Sequence, residues 1–143
     1  MLTFRSVLTV VALTCAAMTL HALGPLDQDA GATKTIKDGV FSERQVERGE
    51  QTFLDNCEAC HQPDQFVGAA YMDGWTGQSL GDFVGFIQDT MPEDNPGGLR
   101  RSQYVSVVAY FLSLNGMPTG EDNLDDSEDV LNAIMIEGPY SSH

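Results

Sequence analysis

Two thiols and an imidazole stand together in this chain as Cys57-Glu58-Ala59-Cys60-His61. Cysteine thiols are redox groups, and both thiol and imidazole are metal ligands, so the run admits several chemistries. A redox dithiol of the Cys-x-x-Cys type belongs in a βαβ surround. A zinc centre needs four ligands, usually a second Cys/His pair. A structural disulfide needs only the two thiols. The remaining histidines are His21 and His143, and the remaining cysteine is Cys15. All three lie near the ends of the chain, so no second pair completes a zinc set, and no βαβ pattern surrounds the run. The histidine directly after the second cysteine favours, over these and over a lone disulfide, the spacing of covalent haem attachment. Each thiol can form a thioether to one vinyl group, and the histidine directly behind is then held under the iron as an axial ligand.

Such a group needs a frame, and the hydrophobic periodicity supplies a helical one. Ser42-Glu43-Arg44-Gln45 has the form of a capping box, in which the serine caps the Gln45 amide and the glutamine reaches back to the serine amide. Phe41 and Val46 stand where a hydrophobic staple would place them. The helix that follows is expected over 43–56, with Val46, Gly49, Phe53 and Leu54 on one face, and it delivers the chain to Cys57. A second helix is expected over 80–89, capped by Ser79 with Asp82 at the third position. Pro92 stops it, because a proline disfavours the helical conformation in the residue before it. The strongest pattern is 101–114, where Tyr104, Val107, Val108, Phe111 and Leu112 recur at three- and four-residue steps. Asn115-Gly116 and then Pro118 end it. No run alternates as a strand would, so the expected class is all-α.

The flanks read differently. Arg5 followed by the apolar stretch from Val7 to Leu20 has the length of a secretory h-region and falls short of a comfortable bilayer span. Residues 1–23 are therefore expected to be a signal peptide, with the mature protein periplasmic and not stably inserted in a membrane. Residues 24–40 are expected to be a loosely ordered lead-in, 41–120 the haem-carrying domain, and 121–143 an acidic tail. Seven residues of that tail are acidic. Its apolar positions, Val130-Leu131 and Ile134-Met135-Ile136, suit one short amphipathic helix packed back on the body. A net charge of −14 excludes nucleic acid as a partner, since phosphate binding needs clustered Lys and Arg. It favours a basic surface on a protein partner instead.

From Ser42 to Gly120 the chain resembles the class I cytochromes c. Three features carry the likeness. One is the Cys57–His61 run at the end of a first helix, and another is Met91-Pro92 in a loop before the last helix. The third is Val107-Val108-Ala109-Tyr110-Phe111-Leu112 leading to Asn115-Gly116. The stretch Thr90-Met91-Pro92 with Asn95-Pro96-Gly97-Gly98-Leu99 resembles cytochrome subunits and domains that serve quinoprotein alcohol dehydrogenases and related periplasmic oxidoreductases. The resemblance implies one haem c, with Met91 as the second axial ligand of its iron. A thioether in that position raises the potential of a His-ligated haem. Met72, Met117 and Met135 are rivals for the role. The resemblance also implies first and last helices crossing closely at Gly49, near Phe53 and Tyr110. Phe66, Val67, Tyr71, Trp75, Phe83 and Phe86 are candidates to line the pocket.

The chain departs from the family in two places. Gln62 stands where a glycine commonly follows the ligand histidine, and Pro63-Asp64-Gln65-Phe66 replaces a glycine-rich stretch. The group that fixes the histidine ring is therefore open, with the Pro63 carbonyl as one candidate. Arg100-Arg101 opens the last helix, where cations oppose the helix dipole. A haem propionate, Glu93 or Asp94, or a partner surface would explain the pair, as would simple solvation.

These readings converge on a single-haem electron carrier, not an enzyme. It would pass one electron between protein donor and acceptor, a periplasmic dehydrogenase and a terminal oxidase being the candidates. Two other readings stay open: a subunit fixed to a dehydrogenase, and a haem sensor or enzyme whose sixth ligand is displaceable.

Overall fold

The computed structural model describes residues 33–140. The expected signal segment, with Cys15, His21 and His143, lies outside the described residues. Two long helices dominate. Helix α1 spans Glu43–Asn56 and helix α4 spans Arg101–Leu114, and their mutual packing is the most extensive between any two elements. Ahead of α1 runs a short strand β1, Lys34–Thr35. Between α1 and α4 come a 3₁₀ turn, Pro63–Phe66, a single helical turn α2, Ala69–Met72, and helix α3, Leu80–Thr90. After α4 come α5, Glu128–Asn132, and a second strand β2, Ile134–Met135. The all-helical expectation holds, with one addition. β1 and β2 pair in parallel, Lys34 with Ile134 and Thr35 with Met135. Two-residue strands are too short to leave an alternating pattern in the sequence.

The helix starts follow the local chemistry. Ser42 Oγ accepts from the Gln45 amide at 3.2 Å. At α3, Ser79 and Asp82 form a reciprocal capping box, the Asp82 amide to Ser79 Oγ at 3.1 Å and the Ser79 amide to Asp82 Oδ2 at 3.0 Å. α4 ends in a Schellman motif: the Met117 amide reaches the Leu112 carbonyl and the Gly116 amide reaches Ser113, with Gly116 at φ +74°.

The first capping box is only half formed. The Gln45 side chain turns away from the Ser42 amide and grips Leu124 instead. Its Nε2 donates to the Leu124 carbonyl at 3.0 Å and its Oε1 accepts from the Leu124 amide at 2.7 Å, all buried. Two bonds to a buried backbone outweigh the single bond that the box would add.

Around this anchor the residues after 117 wrap the body. The Gly120 amide donates to the Phe41 carbonyl at 2.7 Å, and Ser42 Oγ donates to Asn123 at 2.6 Å. The expected single helix over 130–136 is instead a helix and a strand. α5 gives out at Ala133, and Ile134 and Ile136 then point inward in strand fashion while Val130 stays exposed. Leu124, Leu131, Ile134 and Ile136 are all buried in the core. Upstream, Ile36 is fully buried in the same core. None of the helices among the described residues is long and apolar enough to cross a membrane.

Candidate functional site

α1 carries the chain directly to the cysteine run, and Cys57 is its C-cap, its amide donating to the Phe53 carbonyl. The next residues form a tight turn in which the Cys60 and His61 amides both donate to the Cys57 carbonyl, at 3.1 and 3.0 Å. That turn gathers both thiols and the imidazole at one end of α1. Both cysteines are free thiols, Cys57 half-buried and Cys60 exposed. Burial pushes the Cys57 thiol up from its ordinary value.

The His61 ring is oriented by a residue the sequence did not single out. Its Nδ1 lies 3.3 Å from Gln65 Oε1. The candidate Pro63 carbonyl is not its partner here. Gln65 lies four residues on, in the 3₁₀ turn that Pro63 opens, and its Oε1 also accepts from the Gln62 amide at 3.3 Å. A proton on Nδ1, donated to the Gln65 oxygen, would leave the Nε2 lone pair free to ligate a metal. The spacing of four residues was the available clue.

The predicted pocket aromatics come together as a continuous wall. Phe66 packs edge-on against His61, with ring centroids 5.6 Å apart, and stacks on Phe111 of α4 at 4.2 Å. Tyr71 meets Phe66 at 5.1 Å and Phe83 at 6.2 Å. Trp75 then joins Phe83 at 4.3 Å and Phe86 at 5.3 Å. The wall thus runs from the cysteine turn to α3. It is buried at Phe83 but opens at Phe86, 54% exposed on the surface of α3. Burial pushes the Tyr71 hydroxyl up to about 12, a hydrogen bond with Trp75 offsetting part of the effect. Phe111 belongs to the same wall.

Asn115 supports the wall from below. Fully buried just past α4, it accepts from the Gly68 amide at 2.7 Å and donates to the Phe66 carbonyl at 2.8 Å and the Phe111 carbonyl at 2.7 Å. It reads in sequence only as a helix stop.

Met91 is half-buried as the C-cap of α3. Its carbonyl accepts from the Tyr104 hydroxyl at 2.8 Å. Met72 and Met117 are buried in the hydrophobic core, and Met135 lies on β2. Arg101 does not face Glu93 or Asp94. Its Nε donates to the Asp126 carbonyl at 2.7 Å and its Nη1 to Gln88 at 3.2 Å, joining α4, α3 and the C-terminal segment. Arg100 is exposed and bonds Gln103. Two surface clefts, one beside Arg48 and Asn123 and one beside Asp38 and Asp129, include none of the cysteines, His61, Met91 or the aromatics. They are solvent-facing grooves away from the chemistry.

In type, these donors fit a covalently held haem. Two unpaired thiols sit in one turn with an imidazole whose Nδ1 is already engaged, beside an apolar aromatic wall suited to a flat macrocycle. A family model described as "Cytochrome C oxidase, cbb3-type, subunit III" matches residues 44–111, a span that holds Cys57, Cys60, His61 and Met91. No curated protein and no solved structure matches the chain. With the α1–α4 packing and the cysteine turn between them, residues 44–111 are similar to a domain of the c-type cytochrome family.

Proposed function

We propose that this protein is an exported, single-haem electron carrier. Cys57 and Cys60 hold haem c through thioethers, and His61 Nε2 and Met91 Sδ ligate its iron. A haem in that setting supplies a one-electron Fe(III)/Fe(II) couple. The observation that carries the reading is the cysteine turn itself: both thiols free, and His61 presented with Nδ1 engaged by Gln65. The turn holds the imidazole beside both thiols, and Gln65 Oε1 offers an acceptor to its Nδ1. The aromatic wall excludes water from one side and limits rearrangement as charge changes. Two protein ligands leave the iron no open position for substrate, which favours transfer over catalysis. Phe86 offers an apolar contact next to the wall, and the acidic surface steers the protein toward a basic patch on its partner.

The donor in this reading is a periplasmic dehydrogenase of the quinoprotein kind, as the loop after Met91 suggests. The acceptor is a terminal oxidase, in keeping with the oxidase-subunit description of the matching family. The exported location follows from the signal-like residues 1–23.

The test is a visible spectrum of the full chain expressed with haem-maturation machinery, oxidised and reduced, for the native protein and Met91→Ala. Covalent haem with a methionine–iron charge-transfer band, lost in Met91→Ala, is the expected outcome. A band that survives in Met91→Ala moves the ligand to another methionine. Covalent haem without the band in the native protein means an open or differently ligated iron, and would favour a sensor or enzyme. Absence of covalent haem overturns the reading.

A further inference from the structure

One side chain hydrogen-bonds both ends of the loop that follows Met91. Tyr104 lies in the first turns of α4, its ring 1% exposed. Its hydroxyl donates to the Met91 carbonyl at 2.8 Å and accepts from the Leu99 amide at 3.3 Å. Those two backbone groups are the entry and exit of residues 92–98. The loop between them is exposed from Glu93 to Gly98. Its own bonds are turn bonds, the Asn95 amide to the Pro92 carbonyl and the Gly98 amide to Asn95, each 2.9 Å. Gly97 adds a left-handed position at φ +72°. Left to itself, a loop of this make-up is soft. α4, by contrast, is the most buried helix of the fold and packs along α1. A single hydroxyl therefore transfers the rigidity of α4 to both ends of the loop.

We propose that Tyr104 is a positioning residue for the sixth ligand: by pinning both ends of loop 92–98 to α4, it sets how readily Met91 leaves the iron. The proposal rests on Met91 being that ligand. A thioether is a weak, uncharged ligand, and its departure requires the Met91 backbone to move. The Tyr104 hydroxyl opposes that movement at the adjacent carbonyl. Without it, the Met91 carbonyl and the Leu99 amide turn to solvent, and the loop opens at less cost. The residue thereby decides between a closed carrier and an iron that takes an outside ligand. It does this without touching the metal.

The test uses the haem-loaded ferric protein and imidazole as the incoming ligand. Tyr104→Phe keeps the buried ring and removes only the hydroxyl. It should show the methionine–iron band before addition, and then bind imidazole about tenfold faster than the native protein. Gln45→Met serves as the comparison. It loses the two buried bonds to Leu124 and none at Met91 or Leu99, and should lower stability to denaturant while leaving imidazole binding unchanged. A native imidazole rate in Tyr104→Phe overturns the proposal. Equal acceleration in Gln45→Met also overturns it, because general softness would then explain the effect. Met91→Ala separates the two readings. If it keeps the band, the methionine assignment fails and the proposal with it. If it loses the band while Tyr104→Phe binds imidazole at the native rate, only the positioning role fails.

Discussion

Gly49 of α1 lies so close to the Ser106 carbonyl of α4 that no β-carbon fits between them, and the Tyr110 β-carbon would be 2.9 Å away on the other side. The obstacle is mostly helix backbone, which cannot rotate aside. Gly49→Ala gains about 1 kcal/mol of helix propensity and meets an overpacking cost of about 1–3 kcal/mol. The rigid neighbour places it at the upper end of that range. A net loss of about 2 kcal/mol in urea denaturation is expected, and an alanine variant as stable as the native protein would show that the two helices do not meet this closely.

The clamp between Gln45 and Leu124 gives a second expectation. Gln45→Ala leaves a buried amide and a buried carbonyl without partners, each costing about 1–3 kcal/mol before local relaxation. A loss of about 2–3 kcal/mol is expected. Hydrogen exchange locates it: the Leu124 amide should lose protection before the amides of α4 do. Unchanged protection at Leu124 would contradict the clamp.

Asn115, itself fully buried, makes three hydrogen bonds with one side chain. Asn115→Ala should cost about 3 kcal/mol and loosen the segment at Phe66 and Gly68. Because Phe66 stacks on Phe111 with its ring planes only 11° apart, near-UV circular dichroism should weaken along with stability. A stability loss with an intact aromatic signal would confine the role of Asn115 to the helix end.

The capping box of α3 predicts a pH dependence. Hydrogen bonds from the Ser79 hydroxyl and amide hold the Asp82 carboxyl below its ordinary value of 3.8. A lowered folded value stabilises above the unfolded one and is lost as pH falls through the folded one. Ser79→Ala removes the hydroxyl bond to Asp82 and also the cap on the Asp82 amide, the latter worth about 1 kcal/mol at any pH. The stability gap between native and Ser79→Ala protein should therefore be widest near neutrality. It should narrow below pH 4 without closing. A gap independent of pH would mean that Asp82 is not held by Ser79.

What could be seen in the sequence was local. Ser42, Ser79 and the Tyr104–Leu112 stripe announced their helices because caps and periodicity act within a few residues. Cys57, Cys60 and His61 were legible for the same reason. Gln45 misled because its true partner is Leu124, and nothing near Gln45 marks it. β1 and β2 were hidden since each is two residues long and stabilised by a strand a hundred residues away. Gln65, Asn115 and Tyr104 carry generic labels in sequence: a turn residue, a helix stop, a core tyrosine. The roles of Asn115 and Tyr104 arise only when α4 meets other loops within hydrogen-bonding distance, and that of Gln65 from the turn directly after His61.

The pairing of β1 with β2 has a mechanical consequence. Lys34–Thr35 and Ile134–Met135 run in the same direction, and the Ile36 amide extends the ladder to the Met135 carbonyl at 3.0 Å. A pull applied from upstream of residue 34 and downstream of residue 135 would load this ladder in shear, so that its bonds share the force and yield together. The body would then resist traction between its two ends as a latch does, keeping the strain away from the helices that frame the cysteine turn.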